Sequence, residues 1–346
     1  MTNQRPKVVV VKEDDPRVAV RTALEAIRDQ LPRFAWGTRI VVKPNLLATE
    51  FRSGGLVNTN PRAVVAVAQF LRDEFDCEVI LGEGTTNSKV RKPDTLVAMR
   101  NHGYLGAFDW KPVDFNADDD AWWFPIESPG LEERVELSVA STAAAHPLVS
   151  VAKLKTHDVL GVTATAKNLM GALCRARSAK THRLLQERTF VKAFMHGFGT
   201  KQPNDLPEDA VVGPSKVALA ANLVRLLSRL RPAFVVLETH PAMEGDGPTR
   251  GTPVAANVAF ASTSDVACDL VAAEAAGFDP AHSQYLEVLK EKMGLGEPRV
   301  VEIPDGCLDE FPKLKPHRLY GRAKFSRDER RLLRAWTEES PRGEEA

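Results

Sequence analysis

Residues 148–157, Leu-Val-Ser-Val-Ala-Lys-Leu-Lys-Thr-His, join a short apolar run to a basic end. The run at 148–151 is rich in β-branched residues and almost continuously apolar, which is typical of a strand buried on both faces of a parallel sheet. Lys153, Lys155 and His157 follow within five residues. Such side chains are costly to bury without an anionic partner. They therefore either form a basic surface loop or line an anion-binding pocket, and the residues alone leave both alternatives open.

Five further apolar runs, at 8–11, 40–42, 79–81, 234–237 and 258–261, have the same character. Apolar residues recur at helical spacing between them, over 20–31, behind Asn60-Pro61, after Ser215 and from Asp265 toward Gly277. This alternation predicts an α/β fold with a doubly wound, mostly parallel sheet and helices on both faces. In such a fold, ligands bind beyond the carboxyl ends of the strands.

Two segments interrupt this alternation. Residues 109–133 contain an acidic triplet and paired tryptophans, and we predict a subdomain junction there. Residues 174–214 are polar and poor in strand signals, which favours an inserted irregular excursion that acts as a lid or binding loop. We predict one α/β domain over 1–317, followed by a C-terminal helix and a frayed tail over 318–346.

Lys plus Arg and Asp plus Glu both number 46, so the net charge is +0 and no overall field attracts nucleic acid or an anionic membrane. The apolar run at 8–11 is too short for a signal-peptide core, and no stretch approaches the roughly 18 uninterrupted apolar residues of a membrane span. We expect a cytoplasmic protein with neither partner. Assembly into a homo-oligomer is left open.

The four cysteines, Cys77, Cys174, Cys268 and Cys307, have no C-x-x-C spacing. No zinc knuckle or ferredoxin-type loop is therefore encoded locally, and the cofactor is unknown. A metal ion or an iron–sulfur cluster would need ligands that converge only in the folded chain. Cys174, three residues past Gly171, is the thiol best placed to contribute.

Polar residues also follow the second and third predicted strands. Lys43 and Asn45, together with Thr59 just before a helix N-terminus, could form an anion cradle, or could be an ordinary surface lysine and helix cap. Glu83 lies between Gly82 and Gly84, which would let the backbone turn tightly and bring the carboxylate to a ligand or metal. A solvated loop glutamate is the alternative.

The loop at 238–251 concentrates His240, Glu244, Asp246 and Arg250 among three glycines and two prolines. Such a loop can bind phosphate through backbone amides or a metal through carboxylate and imidazole, or can be a purely structural hairpin. It matches neither the Walker A loop nor the dinucleotide-binding fingerprint.

Several of these segments together resemble the DUF362 family: residues 43–47, 151–157, 165–171, 243–248 with Gly251, 265–269 and 294–296. The likeness covers roughly residues 38 to 303. It implies an α/β fold but no assigned activity. Many relatives carry a ferredoxin-like module and are described as iron–sulfur proteins, whereas this chain lacks the clustered cysteines. The family usually has an Asp-Gly pair where this chain has Thr239-His240.

A more distant analogy is to the nickel-pincer lactate racemases, α/β enzymes that move hydride at a hydroxy acid. It implies that Lys155, His157, Lys167 and His182 could hold a carboxylate and move a proton or hydride.

The leading hypothesis is an enzyme, an isomerase or oxidoreductase, that acts on a small anionic metabolite, a carboxylate, by acid–base or redox chemistry. The alternative is a metal-, iron–sulfur- or cofactor-binding assembly protein without turnover of its own. The catalytic candidates are Lys155, His157, Lys167 and His240. The substrate-binding candidates are Lys43, Asn45, Thr59, Lys153, Asn168, His182 and Arg250. The metal candidates are Glu83, Glu244 and Cys174.

Overall fold

The structure is a computed structural model that describes residues 5–47, 56–85, 94–187, 190–201, 205–279 and 282–338. The frayed tail predicted at the C-terminus falls on residues 339–346, which lie outside the described residues.

All six apolar runs form strands. The strands are β1 (Lys7–Lys12), β2 (Arg39–Pro44), β3 (Glu78–Glu83), β4 (Lys111–Asp114), β5 (Asp120–Ile126), β6 (Val135–Ala140), β7 (Leu148–His157), β8 (Gly161–Thr163), β9 (Leu173–Ser178), β10 (Leu184–Glu187), β11 (Phe234–Glu244), β12 (Thr252–Val254), β13 (Val258–Ser262) and β14 (Arg299–Ile303).

The helices include the four predicted ones and a C-terminal helix. They are α1 (Pro16–Ala26), α2 (Pro61–Phe75), α3 (Thr95–Asn101), α4 (Ser141–Ala145), α5 (Thr165–Asn168), α6 (Glu208–Ala210), α7 (Lys216–Arg229), α8 (Asp265–Ala275), α9 (Gln284–Met293) and α10 (Arg327–Glu338). Helix α2 begins as the sequence predicts, because the Asn60 side chain accepts a hydrogen bond from the Arg62 amide and Pro61 occupies the first turn.

The larger sheet has the strand order β14-β1-β13-β11-β7-β2-β3-β4, with β8 paired to β7 and β12 to β11. Strand β13 is antiparallel to both of its neighbours, β1 and β11. The other five contacts along this order are parallel. The prediction of a mostly parallel sheet is confirmed.

Helices cover both faces of this sheet. Helices α1 and α2 pack on one face, where Val42 and Val236 belong to their apolar cluster. The neighbouring residues Val41 and Val235 point to the opposite face, toward α7 and α8 respectively. Strands buried on both faces in this way must be apolar along their whole length, which is the pattern that the sequence shows.

A second, antiparallel sheet has the order β10-β9-β6-β5. The segment predicted as a junction contains β4 and β5, and the segment predicted as an irregular excursion contains most of β9 and all of β10. The latter is therefore more regular than predicted. In β9 the buried residues Cys174 and Ala176 alternate with the partly exposed Arg175 and Arg177, which is the period of a strand with one face covered.

One helical stretch, Glu208–Arg229, is long and apolar enough to cross a membrane by length and composition. However, 72% of its apolar window is buried inside the fold, where α7 packs against α9 and α10. A helix that is apolar nearly all round is expected in a protein core, so packing accounts for its composition.

Candidate functional site

A pocket opens at the carboxyl edge of the larger sheet, where β2, β3 and β7 end. It encloses about 70 Å³, which is room for a few water molecules or a small organic anion. Among the predicted site residues, Asn45, Glu83, Lys155, Lys167 and Asn168 line it. The other lining residues are Leu46, Leu47, Gly84, Thr163, Met170, Gly171, Lys192 and Pro248.

Lys43 and Glu83 form a buried ion pair at the base of this pocket, with 2.5 Å between Nζ and Oε2. The Lys43 ammonium also donates to Asn168 Oδ1 at 3.0 Å. Burial lowers the pKa of Lys43, and the charge of Glu83 opposes this effect. Glu83 additionally accepts hydrogen bonds from the amides of Gly84 and Leu46. Its carboxylate is thus the counter-ion of Lys43.

Two glycines allow the chain to pass close to this ion pair. A Cβ on Gly171 would lie 2.0 Å from Glu83 Oε1, and a Cβ on Gly84 would lie 2.8 Å from Lys192 Nζ. Any other residue would push these charged groups apart, so a close backbone approach requires glycine at both positions.

Lys155 is fully buried, and its amine donates to Asn45 Oδ1 at 2.5 Å and to the Val57 carbonyl at 2.6 Å. Burial lowers its pKa well below the usual value, and the neighbouring charges of Lys167 and Lys153 lower it further. The neutral amine has two N–H groups, which match these two acceptors, and one lone pair that remains unused.

Lys167 lies at the end of the short helix α5 and forms no hydrogen bond or ion pair with the part of the chain that the structure describes. The residue is partly buried, and it lines the pocket. Burial lowers its pKa to about 8, although the charge of Asp158 opposes this shift. Near neutral pH the ammonium is therefore the major form, with a free-amine fraction beside it.

Asp269 of α8 holds α5 in place. Its carboxylate accepts hydrogen bonds from the Thr165 amide, the Thr165 hydroxyl and the Ala166 amide at 2.8, 2.6 and 2.9 Å. Burial raises the pKa of Asp269 to about 7, while these hydrogen bonds lower it. The aspartate thus caps the helix that presents Lys167 and Asn168.

Lys192 and Thr163 line the pocket but were missed by sequence reasoning. Lys192 lies in the 3-10 turn Val191–His196 and donates to Asn116 Oδ1. Burial lowers its pKa to about 8. The signal that could have found it is a lone lysine within an apolar run of a segment already identified as a binding loop. Thr163 gave no signal of its own, since only its pairing with Lys155 in the sheet brings it to the site.

Two predicted residues, Lys153 and His240, belong instead to a second buried group, which we call the Glu238 cluster. Lys153 Nζ lies 2.7 Å from both Glu238 Oε1 and the Pro241 carbonyl. Glu238 also accepts from the Asn60 and His240 amides at 2.9 and 2.7 Å. The His240 Nε2 is 2.8 Å from the Glu13 carbonyl. Neither predicted residue lines the pocket.

His157 lies beside Lys167 without lining the pocket. Its Nδ1 is 2.7 Å from Asp158 Oδ1 and 3.2 Å from the Val159 amide, two contacts that require opposite protonation of the nitrogen. The shorter one favours a proton on Nδ1 that is donated to Asp158. Burial lowers the pKa of His157, with Asp158 opposing. Burial would raise the pKa of Asp158, but the charge of His157 and this hydrogen bond bring it below its usual range.

The remaining candidates lie away from the pocket. The Thr59 hydroxyl accepts from the Asn45 amide and donates to the Val151 carbonyl, both at 2.9 Å, so it holds the Asn45 loop. His182 is exposed in the turn between β9 and β10, and Arg250 is also exposed. Glu244 accepts a hydrogen bond from the Lys315 amide at 2.8 Å.

The cysteine donor set does not fit a metal cluster. All four thiols are free and buried on separate elements. Burial raises the pKa of Cys174 to about 11, the opposite of what a thiolate ligand requires. Within the described residues, no group of three or more His, Cys, Asp and Glu side chains is arranged to hold a metal ion. The predicted metal candidates Glu83, Glu244 and Cys174 are not brought together.

The chain is similar to a thylakoid-associated protein of Synechocystis sp., with 26% identity over 304 residues, which cover 87% of this chain and 80% of that protein. A solved structure of a Thermotoga maritima protein matches with a TM-score of 0.39 and 9% identity, covering 81% of this chain and 60% of that one. The Synechocystis relative gives no support to the analogy to lactate racemases. The model of the domain of unknown function DUF362 matches residues 40–274, more than half of the sequence. The chain therefore belongs to the DUF362 family.

Proposed function

We propose that this protein is an enzyme that binds a small carboxylate anion in the pocket and moves a proton on it. The observation that carries the proposal is the charge balance of the lining residues. The ammonium groups of Lys167 and Lys192 line the pocket, whereas Glu83, the single carboxylate among the described lining residues, is already paired with Lys43. Cations that line a pocket without a matching negative charge are costly, and a bound anion would supply that charge.

The two kinds of lysine suit different tasks. Lys155 is the proposed proton acceptor, because its two N–H groups are engaged and its depressed pKa favours the neutral form with a free lone pair. Lys167 retains enough positive charge near neutral pH to hold a carboxylate. A base of this kind contributes on the order of 10² to 10⁴ to a rate. The reaction is thus an acid–base step, such as proton abstraction next to the bound carboxylate.

His157 and Asp158 influence the lining lysines, although neither residue lines the pocket. Asp158 is hydrogen-bonded to His157, and its negative charge favours the protonated form of Lys167. We propose that the pair positions Lys167 and does not contact the substrate, which binds to the three lining lysines.

We also propose that the protein acts in the cytoplasm, with neither nucleic acid nor membrane as a partner. The balanced charge of the chain supports this proposal. The Synechocystis relative is described as thylakoid-associated, and a fractionation of the native cells would compare the two locations directly.

The first experiment measures binding. Acetate, lactate, pyruvate, malonate and succinate are added to the purified full chain, and the Tm and the heat of binding are recorded. We expect at least one of these anions to raise the Tm. A Lys201→Met variant, at an exposed lysine away from the pocket, serves as the matched control and should respond like the wild type. If none of the anions binds, the proposal is wrong.

The second experiment measures proton transfer. Each anion that binds is incubated with the protein in D2O, and exchange of its α-protons is followed by NMR. Lys155→Met should still bind the anion while exchange falls by about 10² to 10⁴. Binding without exchange in the wild type would instead identify a binding or assembly protein without turnover of its own.

A further inference from the structure

The unbalanced cations of the pocket lie at two different places in it. Lys167 lies beside Lys155. Lys155 of β7 is in turn paired with Thr163 of β8 in the sheet. Lys192 lies on the side of Gly84 and Glu83, because a Cβ on Gly84 would lie 2.8 Å from its Nζ. The charges that act on the two lysines also differ, with Asp158 acting on Lys167 and Glu83 acting most strongly on Lys192.

The Lys167 end has a second group that lacks a partner. The Thr163 hydroxyl is buried, with the residue 4% exposed, and it makes no hydrogen bond within the described part of the chain. Thr163 lines the same pocket. A buried hydroxyl without a partner is unfavourable, so an acceptor in the pocket would satisfy it. A carboxylate oxygen is such an acceptor, and Lys167 supplies the charge to hold it.

The Lys192 end is fixed by its neighbours. The Asn116 amide nitrogen donates to the Thr85 carbonyl at 2.9 Å, which orients the amide so that its oxygen accepts from Lys192. An ammonium has three N–H groups, so Lys192 retains donors after this bond. The position of its charge is thus set before any ligand binds.

We propose that the ligand is a short-chain dicarboxylate, with one carboxylate bound by Lys167 and Thr163 and the other bound by Lys192. This inference rests on the proposed function and adds the substrate class. A single-centred anion such as inorganic phosphate would occupy one end and leave the other cation without an anionic partner. A second carboxylate is the smallest addition that satisfies both ends.

The test compares anions of equal length on the wild-type full chain by calorimetry. The pairs are succinate with butyrate and malonate with propionate, and inorganic phosphate is measured alongside. Hydrogen bonds to charged groups are strong, so we expect the better dicarboxylate to bind roughly 10- to 100-fold more tightly than its monocarboxylate. Phosphate should bind more weakly than that dicarboxylate.

The outcomes separate this inference from the function on which it rests. Equal binding of a dicarboxylate and its matched monocarboxylate overturns the inference while the carboxylate pocket stands. Phosphate binding that exceeds both dicarboxylates also overturns it. If no carboxylate binds at all, the proposed function fails and the inference fails with it. None of these outcomes depends on a variant that could fold poorly.

Variants then assign the two ends. Lys192→Met should weaken dicarboxylate binding about 10- to 100-fold, to the level of the monocarboxylate, and leave monocarboxylate binding unchanged. Thr163→Val should weaken the binding of both anions and not lower the Tm of the free protein, because the lost hydroxyl has no partner among the described residues. Lys201→Met should change neither affinity. Equal losses for both anions in Lys192→Met would contradict the assignment of that end.

Discussion

Lys153 and Lys155 lie two residues apart on β7, yet their surroundings differ in charge balance. Lys153 lies in the Glu238 cluster, where its ammonium contacts one carboxylate and one carbonyl at 2.7 Å. Lys155 lies in a pocket where lysines outnumber carboxylates among the described lining residues. A buried cation with a matched partner stabilises the fold, whereas unmatched cations around a cavity indicate a site that a ligand completes.

Removal of Glu238 is expected to have the largest effect. Glu238→Ala leaves Lys153 buried without its counter-ion, which should lower the free energy of unfolding by about 3–5 kcal/mol. Urea denaturation measures this loss. The double variant Glu238→Gln with Lys153→Met removes both charges and should lose less. A loss below about 1 kcal/mol in the single variant would show that the cluster does not stabilise the fold.

Removal of Lys167 should weaken ligand binding without lowering stability, the reverse of the effect expected for Glu238. Lys167→Met deletes a pocket cation that forms no hydrogen bond or ion pair within the described chain, so the Tm should stay constant or rise. Affinity for the best-binding carboxylate should fall about 10- to 100-fold, as calorimetry would show. A lowered Tm with unchanged affinity would show that Lys167 stabilises the fold, as Lys153 does, and does not bind the ligand.

A methyl group at Gly171 tests the close packing under the pocket. Because its Cβ would lie 2.0 Å from Glu83 Oε1, Gly171→Ala should displace the ion pair of Lys43 and Glu83. Overpacking of this kind costs about 1–3 kcal/mol, measured again by urea denaturation. Gly321→Ala is the matched control, since nothing lies within 4 Å of its Cβ position. Equal stability of the two variants would argue against a tightly packed pocket base.

The last prediction concerns the dependence of stability on pH. The pKa values of Lys167 and Lys192 are about 8 in the folded chain and near 10.5 when unfolded, so the unfolded state binds more protons between these values. Stability should therefore rise with pH across this window, by up to about 1.4 kcal/mol per pH unit for each lysine. The charge of Asp158 acts on Lys167, and the charges of Glu83, Cys174, Asp114 and Lys43 act on Lys192.

The check is the difference in unfolding free energy between the wild type and Lys167→Met with Lys192→Met, followed through this pH window. The slope should be smaller in the double variant, since the unfolded-state protons of these two lysines are absent. Carboxylate affinity of the wild type should fall over the same range, because the ammonium groups lose their charge. Parallel pH curves for the two proteins would contradict the lowered pKa values.

Much of the fold could be predicted from the sequence. The six strands were found because strands buried on both faces are continuously apolar, and the start of α2 was found because Asn60 and Pro61 act locally. The second sheet was not found. Its strands are short and half-polar, and the alternation in β9 is mixed with arginines that pair with Asp120 and Glu136 on other strands.

For the site, the sequence by itself determined which strand ends carry charged residues, because strand ends follow from local apolar runs. It therefore located Lys43, Glu83, Lys155 and Lys167 at one edge of the sheet. Only the tertiary structure decided which charges are matched. Glu238 pairs with Lys153, and Lys192 reaches the pocket from a distant turn, because pairing depends on distances between residues far apart in the chain.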